Sequence, residues 1–222
     1  MAGVSDYSLD QMAEADRYNA WLLGRAAPFL GRRVLEVGAG IGTFSGRLAE
    51  GRELVAVEPD PALAVHLRAN APAATVVEGE VEAAPPGPYD SVVCFNVLEH
   101  IRDERAALDA FRDRLRPGGH LLLLVPSHPF LYGPIDRAFE HERRYAQRAL
   151  RALLTETGFT VAELRRVNPV GAIGWLVAGR GLRRSKIPGG PLRAFDRLVP
   201  VLRLLDRVEL PLGLSLWAVA RR

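Results

Sequence analysis

The 222-residue chain has one cysteine, Cys94, and one lysine, Lys186. A single cysteine cannot form an internal disulfide, and because Cys94 lies in the apolar run SVVCF we expect a buried thiol in a reducing compartment. Long apolar runs are also missing: the uncharged stretch from Val167 to Gly179 has 13 residues, whereas a bilayer span needs about 17–25. The N-terminus lacks a basic start followed by an apolar stretch, so we expect neither a signal peptide nor a transmembrane helix.

The composition is that of an ordinary globular domain, with 48% hydrophobic and 25% charged residues. Such values exclude a disordered chain and a disulfide-rich secreted one, and the length predicts a single domain spanning residues 1–222. The formal net charge is +3, but it is unevenly distributed. Residues 168–207 hold eight basic and two acidic side chains, a balance of +6, which leaves −3 for the rest of the chain.

Short β-rich runs alternate with helical stretches, a pattern typical of a parallel sheet covered by helices on both faces. We predict strands at Arg33–Val37, Leu54–Val57, Thr75–Glu78, Ser91–Phe95, His120–Val125 and Phe159–Val167, with a final apolar run at Leu212–Ala220. Helices are predicted over Leu9–Pro28, from near Gly42, Pro61 and Asp103, and over Gln147–Glu156. The sequence therefore predicts an α/β domain with an N-terminal helical cap (1–30) and an insertion (168–207) before the last strand.

The strongest chemical signal is VLEVGAGIGTF, from Val34 to Phe44, where a glycine-rich turn follows an apolar strand. Glycines let a ligand approach the backbone closely and supply positive φ where a turn needs it. Acidic residues stand at the ends of this strand and the next: Glu36 and, 22 residues later, Glu58. A glycine loop at the carboxyl edge of the first strand, followed by a carboxylate that can accept from both hydroxyls of a ribose, predicts a nucleoside-cofactor site.

These residues resemble the cofactor motifs of class I S-adenosylmethionine-dependent methyltransferases. The similarity extends through EVGAGIG, VAVEPD, EGEVEAAP, YDSVVCFNVLEH and LRPGGHLLLLVPS, in the family's order and spacing, and covers nearly the whole chain. A bacterial small-molecule subgroup also carries a His-x-Arg-Arg-Tyr stretch after strand five, here HERRY at His141–Tyr145. The resemblance implies a Rossmann-like, doubly wound sheet of seven strands with an antiparallel last strand. It also implies S-adenosyl-L-methionine as cofactor, released as S-adenosyl-L-homocysteine.

The resemblance assigns cofactor contacts residue by residue. Glu36 and the glycine-loop backbone would face the methionine part and the ribose, and Glu58 would bind the ribose hydroxyls. Glu80 stands where the family usually has an aspartate that reaches the adenine amino group, with Val81 against the ring. The cofactor-binding residues implied in this way are Glu36, Gly38, Ala39, Gly40, Gly42, Glu58, Pro59, Glu80, Val81, Asn96 and Val97. For Asn96 a turn-forming role is an equal alternative.

Methyl transfer requires little of the protein beyond the alignment of donor and acceptor, because the sulfonium is a good leaving group. A proton must still leave the acceptor, and a neutral histidine is a suitable base. His128 and His141 lie in the loop after the fifth predicted strand, where ligands bind in open α/β sheets, so they are the candidate catalytic residues. Packing or capping is favoured for His100. Glu99 and His100 together suggest a metal site, but the sequence offers no clear third ligand, and we expect no metal.

The same loop, SHPFLYGPIDRAFEHERRY, combines aromatic side chains with a few polar ones, as small-molecule pockets do. Arginines there can hold a carboxylate or phosphate. The candidate substrate-binding residues are Tyr132, Arg143, Arg144 and Tyr145. Surface ion pairs with Glu140 or Glu142 are an equal alternative for the two arginines.

Three interpretations are open for the basic insertion, residues 168–207, whose apolar residues and arginines recur at helical spacing. These interpretations are a lid over the acceptor pocket, a homodimer interface, and a helix resting on an anionic membrane surface. We favour the lid or the interface. The third interpretation would place the protein at the inner face of a membrane and suit a lipid-linked acceptor.

Nucleic acid is disfavoured as acceptor, because the charge is modest and the basic residues concentrate in one apolar-rich segment. The (Asp/Asn)-Pro-Pro-(Tyr/Phe) motif of base-methylating relatives is also replaced by FNVLEH. We therefore expect a cytoplasmic enzyme that methylates a small molecule such as a natural-product, sugar or lipid-linked intermediate. A non-catalytic methyltransferase-like adaptor is the main alternative. An NAD-dependent oxidoreductase is less favoured, because the glycines are spaced GxGxG rather than GxGxxG.

Overall fold

The computed structural model describes residues 15–177, 195–200, 203–204, 208 and 210–222. Seven strands form one sheet: β1 (Arg33–Val37), β2 (Glu53–Glu58), β3 (Thr75–Glu78), β4 (Tyr89–Phe95), β5 (Leu115–Pro126), β6 (Thr160–Val167) and β7 (Ser215–Arg221). Their order is β3-β2-β1-β4-β5-β7-β6. Strands β1 to β5 pair in parallel, and β7 runs antiparallel to both β5 and β6. The predicted seven-stranded, Rossmann-like fold with an antiparallel last strand is confirmed.

Helices cover both faces of the sheet. They are α1 (Asp16–Ala26), α2 (Ser45–Leu48), α3 (Pro61–Asn70), α4 (Glu104–Arg114), α5 (Pro134–Ala138), α6 (Gln147–Glu156) and α7 (Pro169–Trp175). None of the helices in the described part of the chain is long and apolar enough to cross a membrane. Part of the predicted N-terminal helix, before residue 15, lies outside the described residues.

Local sequence explains why these elements form where they do. The central strands are buried on both faces, and their apolar runs are continuous, as in the five consecutive buried residues Leu121–Val125. Cys94 in β4 is buried, as its apolar neighbours predict. At the start of α4, the side chain of Asp103 accepts a hydrogen bond from the Ala106 N–H (3.0 Å), which satisfies a helix-end donor.

Two boundaries differ from the sequence prediction. The helix after the glycine loop begins at Ser45 instead of near Gly42, because Gly42 has φ +89°, which no right-handed helix accommodates. Strand β5 begins at Leu115 instead of His120, since Leu115 pairs with Tyr89 before a register shift in β4. The early start extends the sheet away from the strands' carboxyl ends and leaves those ends where the sequence places them.

The strand order reverses between β1 and β4, which are neighbours in the sheet although β2 and β3 lie between them along the chain. In doubly wound sheets a crevice opens at the carboxyl ends of the strands at this point, and ligands bind there. The glycine loop after β1 and the segment after β4 therefore flank one crevice.

The start of the predicted insertion and its described part near residue 195 contact the rest of the domain. At its start, the Asn168 carbonyl accepts a hydrogen bond from the Leu214 N–H (3.0 Å), and the Leu214 carbonyl accepts one from the Ser127 N–H (2.9 Å). Residues 195–200 are helical, and Phe195 packs edge-on against Tyr18 of α1 with ring centroids 5.7 Å apart. Most of the remaining insertion, including its cluster of basic residues, is outside the described residues. Its roles as lid, interface or membrane contact stay predictions.

Replacing Phe111 with alanine should lower the free energy of unfolding by about 3–5 kcal/mol, because its fully buried ring fills the core between α4 and the sheet. Chemical denaturation followed by circular dichroism measures this loss. Val65→Ala on α3 is the control, since Val65 is 62% exposed and its loss should change stability little. Equal effects of the two substitutions would contradict the assigned core.

Candidate functional site

The glycine loop turns tightly at the end of β1 and packs against the segment after β4. The Gly38 and Ala39 N–H groups both donate to the Val57 carbonyl of β2, at 2.9 and 3.1 Å. Gly38 has φ +67°, and a Cβ placed on it would lie 2.5 Å from Cγ2 of Val97. Only glycine fits this position. The contact brings two of the predicted cofactor-binding residues, Gly38 and Val97, against each other.

A buried carboxylate, Glu58 at the end of β2, faces the same loop. Its Oε2 accepts a hydrogen bond from the Gly40 N–H (2.7 Å), and its Oε1 accepts one from the Asp60 N–H (3.0 Å). Burial raises the pKa of Glu58, while the two backbone donors act in the opposite direction. Glu58 is thus held in place by backbone groups on both sides.

A second buried carboxylate, Glu36 in β1, lies on the other side of the loop. The hydroxyl of Ser45, at the start of α2, donates to Glu36 Oε2 at 2.5 Å. Burial raises the pKa of Glu36 to about 7; the Ser45 hydrogen bond opposes this shift and the nearby Glu58 adds to it. A carboxyl group with such a pKa changes its charge around neutral pH, and a cation beside it would stabilise the ionised form.

The remaining predicted cofactor residues take different positions. Gly79 donates its N–H to the Glu58 carbonyl (3.0 Å), which places the following Glu80 and Val81 beside the end of β2. Val81 is buried in the core, whereas Glu80 and Pro59 are exposed. Gly42 packs on α3, where a Cβ would lie 3.1 Å from Leu67 Cδ1. Asn96 has φ +55° and donates its N–H to the Leu124 carbonyl (2.7 Å), which fits the turn-forming alternative.

A buried ion pair organises the long loop after β5. Arg144 Nε donates to Asp136 Oδ1 at 2.6 Å, and the Gly133 N–H donates to Oδ2 at 2.9 Å. His141 Nδ1 lies 3.0 Å from the same Oδ1. Burial alone would raise the pKa of Asp136, but His141 and Arg144 outweigh it and lower that pKa. The carboxylate is therefore ionised, so the Nδ1–H of His141 is the donor, and in the neutral tautomer with this proton Nε2 carries the lone pair.

The other members of the HERRY stretch attach this loop to the segment after β4. Arg143 Nη1 donates to the Ile101 carbonyl (2.8 Å) and to Glu104 Oε2 (3.1 Å), and the Tyr145 hydroxyl donates to the same Oε2 (2.7 Å). The Tyr132 hydroxyl donates to the His141 carbonyl (2.8 Å).

The arginines of this stretch thus pair with Glu104 and Asp136, and the alternative pairing with Glu140 or Glu142 is not formed. All four residues predicted to bind substrate make hydrogen bonds within the protein. Their role in acceptor binding stays a prediction.

The two candidate bases lie in different surroundings. His141 faces the segment after β4, where its Nε2 is 4.0 Å from Glu99 Oε1 and its ring centroid is 4.9 Å from that of His100. His128 has φ +59°, and its Nε2 accepts a hydrogen bond from the Gly213 N–H at 3.4 Å. The structure thus groups His141, and not His128, with Glu99 and His100.

Sequence reasoning did not find the cluster formed by Glu99, His100 and His141. The fold brings His141 to the adjacent pair from 41 residues away. Glu99 is fully buried, and its burial raises the pKa of the carboxyl to about 8. Partial desolvation of the His100 ring, together with the nearby His141, lowers the pKa of His100 to about 4. We refer to these three residues as the EHH cluster.

Arg144→Met should lower the free energy of unfolding by about 3–5 kcal/mol, because it leaves Asp136 charged and buried without its partner. Arg102→Met is the matched control: Arg102 pairs with Glu142 at 3.3 Å, but its side chain is 90% exposed. Exposed pairs contribute little, so this variant should unfold like the wild type. Chemical denaturation of both variants measures the difference. Comparable losses in the free energy of unfolding would mean that the buried pair stabilises the fold no more than the exposed pair.

Comparisons with known proteins agree with this architecture. Residues 12–164 match the family model of a methyltransferase domain. Over 105 residues the chain is 34% identical to a ubiquinone biosynthesis O-methyltransferase of Pectobacterium carotovorum subsp. carotovorum, an alignment that covers 44% of each protein. The chain thus spans less than half of the length of the curated relatives that it matches.

Solved structures share the fold along most of the chain. A SAM-dependent methyltransferase from Archaeoglobus fulgidus superposes with a TM-score of 0.64 at 18% identity, covering 94% of both chains. The magnesium protoporphyrin IX methyltransferase from Synechocystis PCC 6803, solved with bound S-adenosylhomocysteine, gives a TM-score of 0.58 at 15% identity, covering 96% of this chain and 83% of that one. Since the family model matches more than half of the sequence, this chain belongs to the methyltransferase-domain family.

Proposed function

We propose that the enzyme transfers a methyl group to a hydroxyl oxygen of a small, partly apolar acceptor, and that the acceptor binds beside the EHH cluster. The observation that carries this proposal is the contact of Val97 with Gly38, because Glu99 and His100 lie only two and three residues after Val97 along the chain. The cluster therefore adjoins the loop expected to hold the methyl donor. The O-methyltransferase activity named for the ubiquinone-biosynthesis relatives supports oxygen as the accepting atom.

In this proposal, the two buried carboxylates hold the cofactor at either side of the glycine loop. Glu58 would accept hydrogen bonds from the ribose hydroxyls, and Glu36 would face the charged amino group of the methionine part. A buried carboxylate that meets a cation gains more than an exposed one, because the surrounding dielectric is low. The Gly38–Gly40 backbone, which carries no side chains at those two positions, would allow the cofactor to lie against it.

The chemical step needs alignment and the loss of one proton. A lone pair of the acceptor oxygen forms the new bond to the methyl carbon, the carbon–sulfur bond breaks, and its electron pair stays on sulfur as a thioether. The hydroxyl proton passes from the acceptor to solvent. Holding oxygen, carbon and sulfur in line supplies much of the rate acceleration.

Aromatic side chains next to the EHH cluster suit an acceptor with an apolar or aromatic body. The Phe139 ring lies 5.8 Å from that of His141 and 6.1 Å from that of Trp175 in α7. Both rings are partly exposed, and Trp175 stacks against the Arg144 guanidinium at 4.6 Å. These rings offer an apolar surface beside the polar cluster, an arrangement typical of small-molecule sites.

Transfer of an isotope-labelled methyl group from S-adenosylmethionine to a panel of small phenols tests the proposal, with mass spectrometry locating the label. We expect labelled methyl on oxygen. Matched anilines, in which an amino group replaces the hydroxyl, are the comparison. Transfer to the anilines with none to the phenols would contradict the proposal.

Glu58→Ala should weaken the binding of S-adenosylhomocysteine by about 10- to 100-fold, the range expected when hydrogen bonds to a charged group are lost. Isothermal titration calorimetry measures the affinity. Glu53→Ala is the matched control, because Glu53 begins the same strand at its opposite, exposed end and should not affect binding. Unchanged affinity in Glu58→Ala would remove this residue from the cofactor site.

Cofactor affinity should also depend on pH through Glu36. The pKa of this carboxyl is raised to about 7, so it is largely neutral at pH 6 and largely ionised at pH 8. If only the ionised form holds the cofactor's amino group, affinity for S-adenosylhomocysteine rises with pH across this window by up to roughly tenfold. Calorimetry at several pH values should show this rise in the wild type and a flatter profile in Glu36→Gln. Identical profiles would place the titrating group elsewhere.

A further inference from the structure

A buried carboxylate without a partner lies at the centre of the EHH cluster. Glu99 has no exposed surface, and neither of its carboxyl oxygens has a hydrogen-bond partner among the described residues. Buried polar groups are nearly always paired, because an unpaired one costs free energy comparable to a lost hydrogen bond. A buried carboxylate left in this state indicates that a ligand group supplies the missing partner.

His141 has the orientation of a metal ligand. Its Nδ1–H donates to Asp136, which leaves Nε2 as a lone-pair donor directed towards Glu99 Oε1 at 4.0 Å. Histidines that bind metals usually donate their other ring N–H to a carboxylate or carbonyl, which fixes the tautomer and strengthens the donor nitrogen. Asp136 is itself fixed by Arg144 and by the Gly133 N–H. The orientation of the His141 ring is therefore fixed by residues that would not themselves bind the metal.

His100 supplies the third donor and lies on the exposed side of the cluster. The Glu140 carbonyl accepts a hydrogen bond from its ring, so one ring nitrogen is occupied and the other remains available. The Glu142 N–H donates to the Glu99 carbonyl at 2.9 Å, which ties the HERRY loop to the segment after β4. One donor atom from each of Glu99, His100 and His141 falls within 4.8 Å of the other two.

We propose that Glu99, His100 and His141 bind one divalent transition-metal ion of the Zn²⁺ type. Two imidazoles and one carboxylate form a donor set that suits such ions and leaves a coordination position open, whereas Mg²⁺ prefers oxygen ligands. Metal–ligand bonds of about 2.0–2.2 Å would bring the donor atoms to roughly 3.3 Å from one another. The exposed His100 ring can make most of this adjustment, because the rest of the cluster is packed.

The metal's role in the reaction rests on the proposed function. An acceptor hydroxyl in the open position would lose its proton to solvent more readily, because a bound divalent cation stabilises the resulting anion. The anionic oxygen would then form the bond to the methyl carbon as sulfur leaves with the electron pair. His141 would act as a ligand in this scheme, and no histidine would need to remove the proton.

Equilibrium dialysis of the metal-free full-length chain against ZnCl₂ and, separately, MgCl₂ tests the site. We expect one Zn²⁺ per chain and no comparable Mg²⁺ binding. His100→Ala, at an exposed position where folding is not at risk, and Glu99→Gln should each weaken Zn²⁺ binding by more than about tenfold. Asp136→Asn, which removes the charge that supports His141 and pairs with Arg144, should weaken it by about 10- to 100-fold. His66→Ala, at an exposed position of α3, is the matched control and should bind Zn²⁺ like the wild type.

Equal Zn²⁺ affinity in His100→Ala, Glu99→Gln and the wild type would overturn the site, as would loss of binding in His66→Ala. Calorimetry with S-adenosylhomocysteine keeps the two proposals apart, since cofactor affinity should be the same in His100→Ala and the wild type. Methyl transfer that is equally fast before and after chelation would overturn the metal's role in the reaction. Zn²⁺ binding without transfer to any hydroxyl would overturn the proposed function and leave the metal site in place.

Discussion

The buried ion pair between Asp136 and Arg144 is the interaction on which the loop after β5, the proposed acceptor side of the site, depends. A charged pair in the protein interior is stable only when nearly all of its polar atoms are satisfied, and here the Gly133 N–H, the His141 ring and the Ser127 carbonyl satisfy them. The same bonds fix the path of the loop from β5 to α6. A single carboxylate thus shapes the loop, selects the tautomer of His141 and directs its free nitrogen towards Glu99.

The proposed cofactor side depends on a different feature, the absence of a side chain at Gly38. Gly38 leaves room for Val97, and this contact joins the segments that follow β1 and β4 at the reversal of strand order. Two carboxylates with raised pKa values flank the loop, at sites where a ligand's cation or hydroxyl groups would offset the cost of their burial. The two halves of the site therefore adjoin through the packing of one valine.

The sequence predicted the sheet well, because buried parallel strands have continuous apolar runs: β1 and β3 match their predicted bounds, and α6 does too. Both carboxylates of the cofactor side were also predictable, since each stands near a strand end. The EHH cluster was not predictable, because it depends on how the loop after β5 folds back onto the segment after β4. His141 in that loop follows His100 by 41 residues. The internal partners of Arg143 and Arg144 were missed for the same reason. Along the chain Glu140 and Glu142 lie nearer to the two arginines than their actual partners, Glu104 and Asp136.

The anchored ends of residues 168–214 have an evolutionary consequence. Hydrogen bonds from Leu214 to Asn168 and from Ser127 to Leu214 close this segment at its base, next to the loop that carries the EHH cluster. Lengthening a loop with fixed ends costs little, about 0.6 kcal/mol for each doubling of its length. The segment can therefore be exchanged or extended between descendants while the sheet and the cofactor residues stay unchanged.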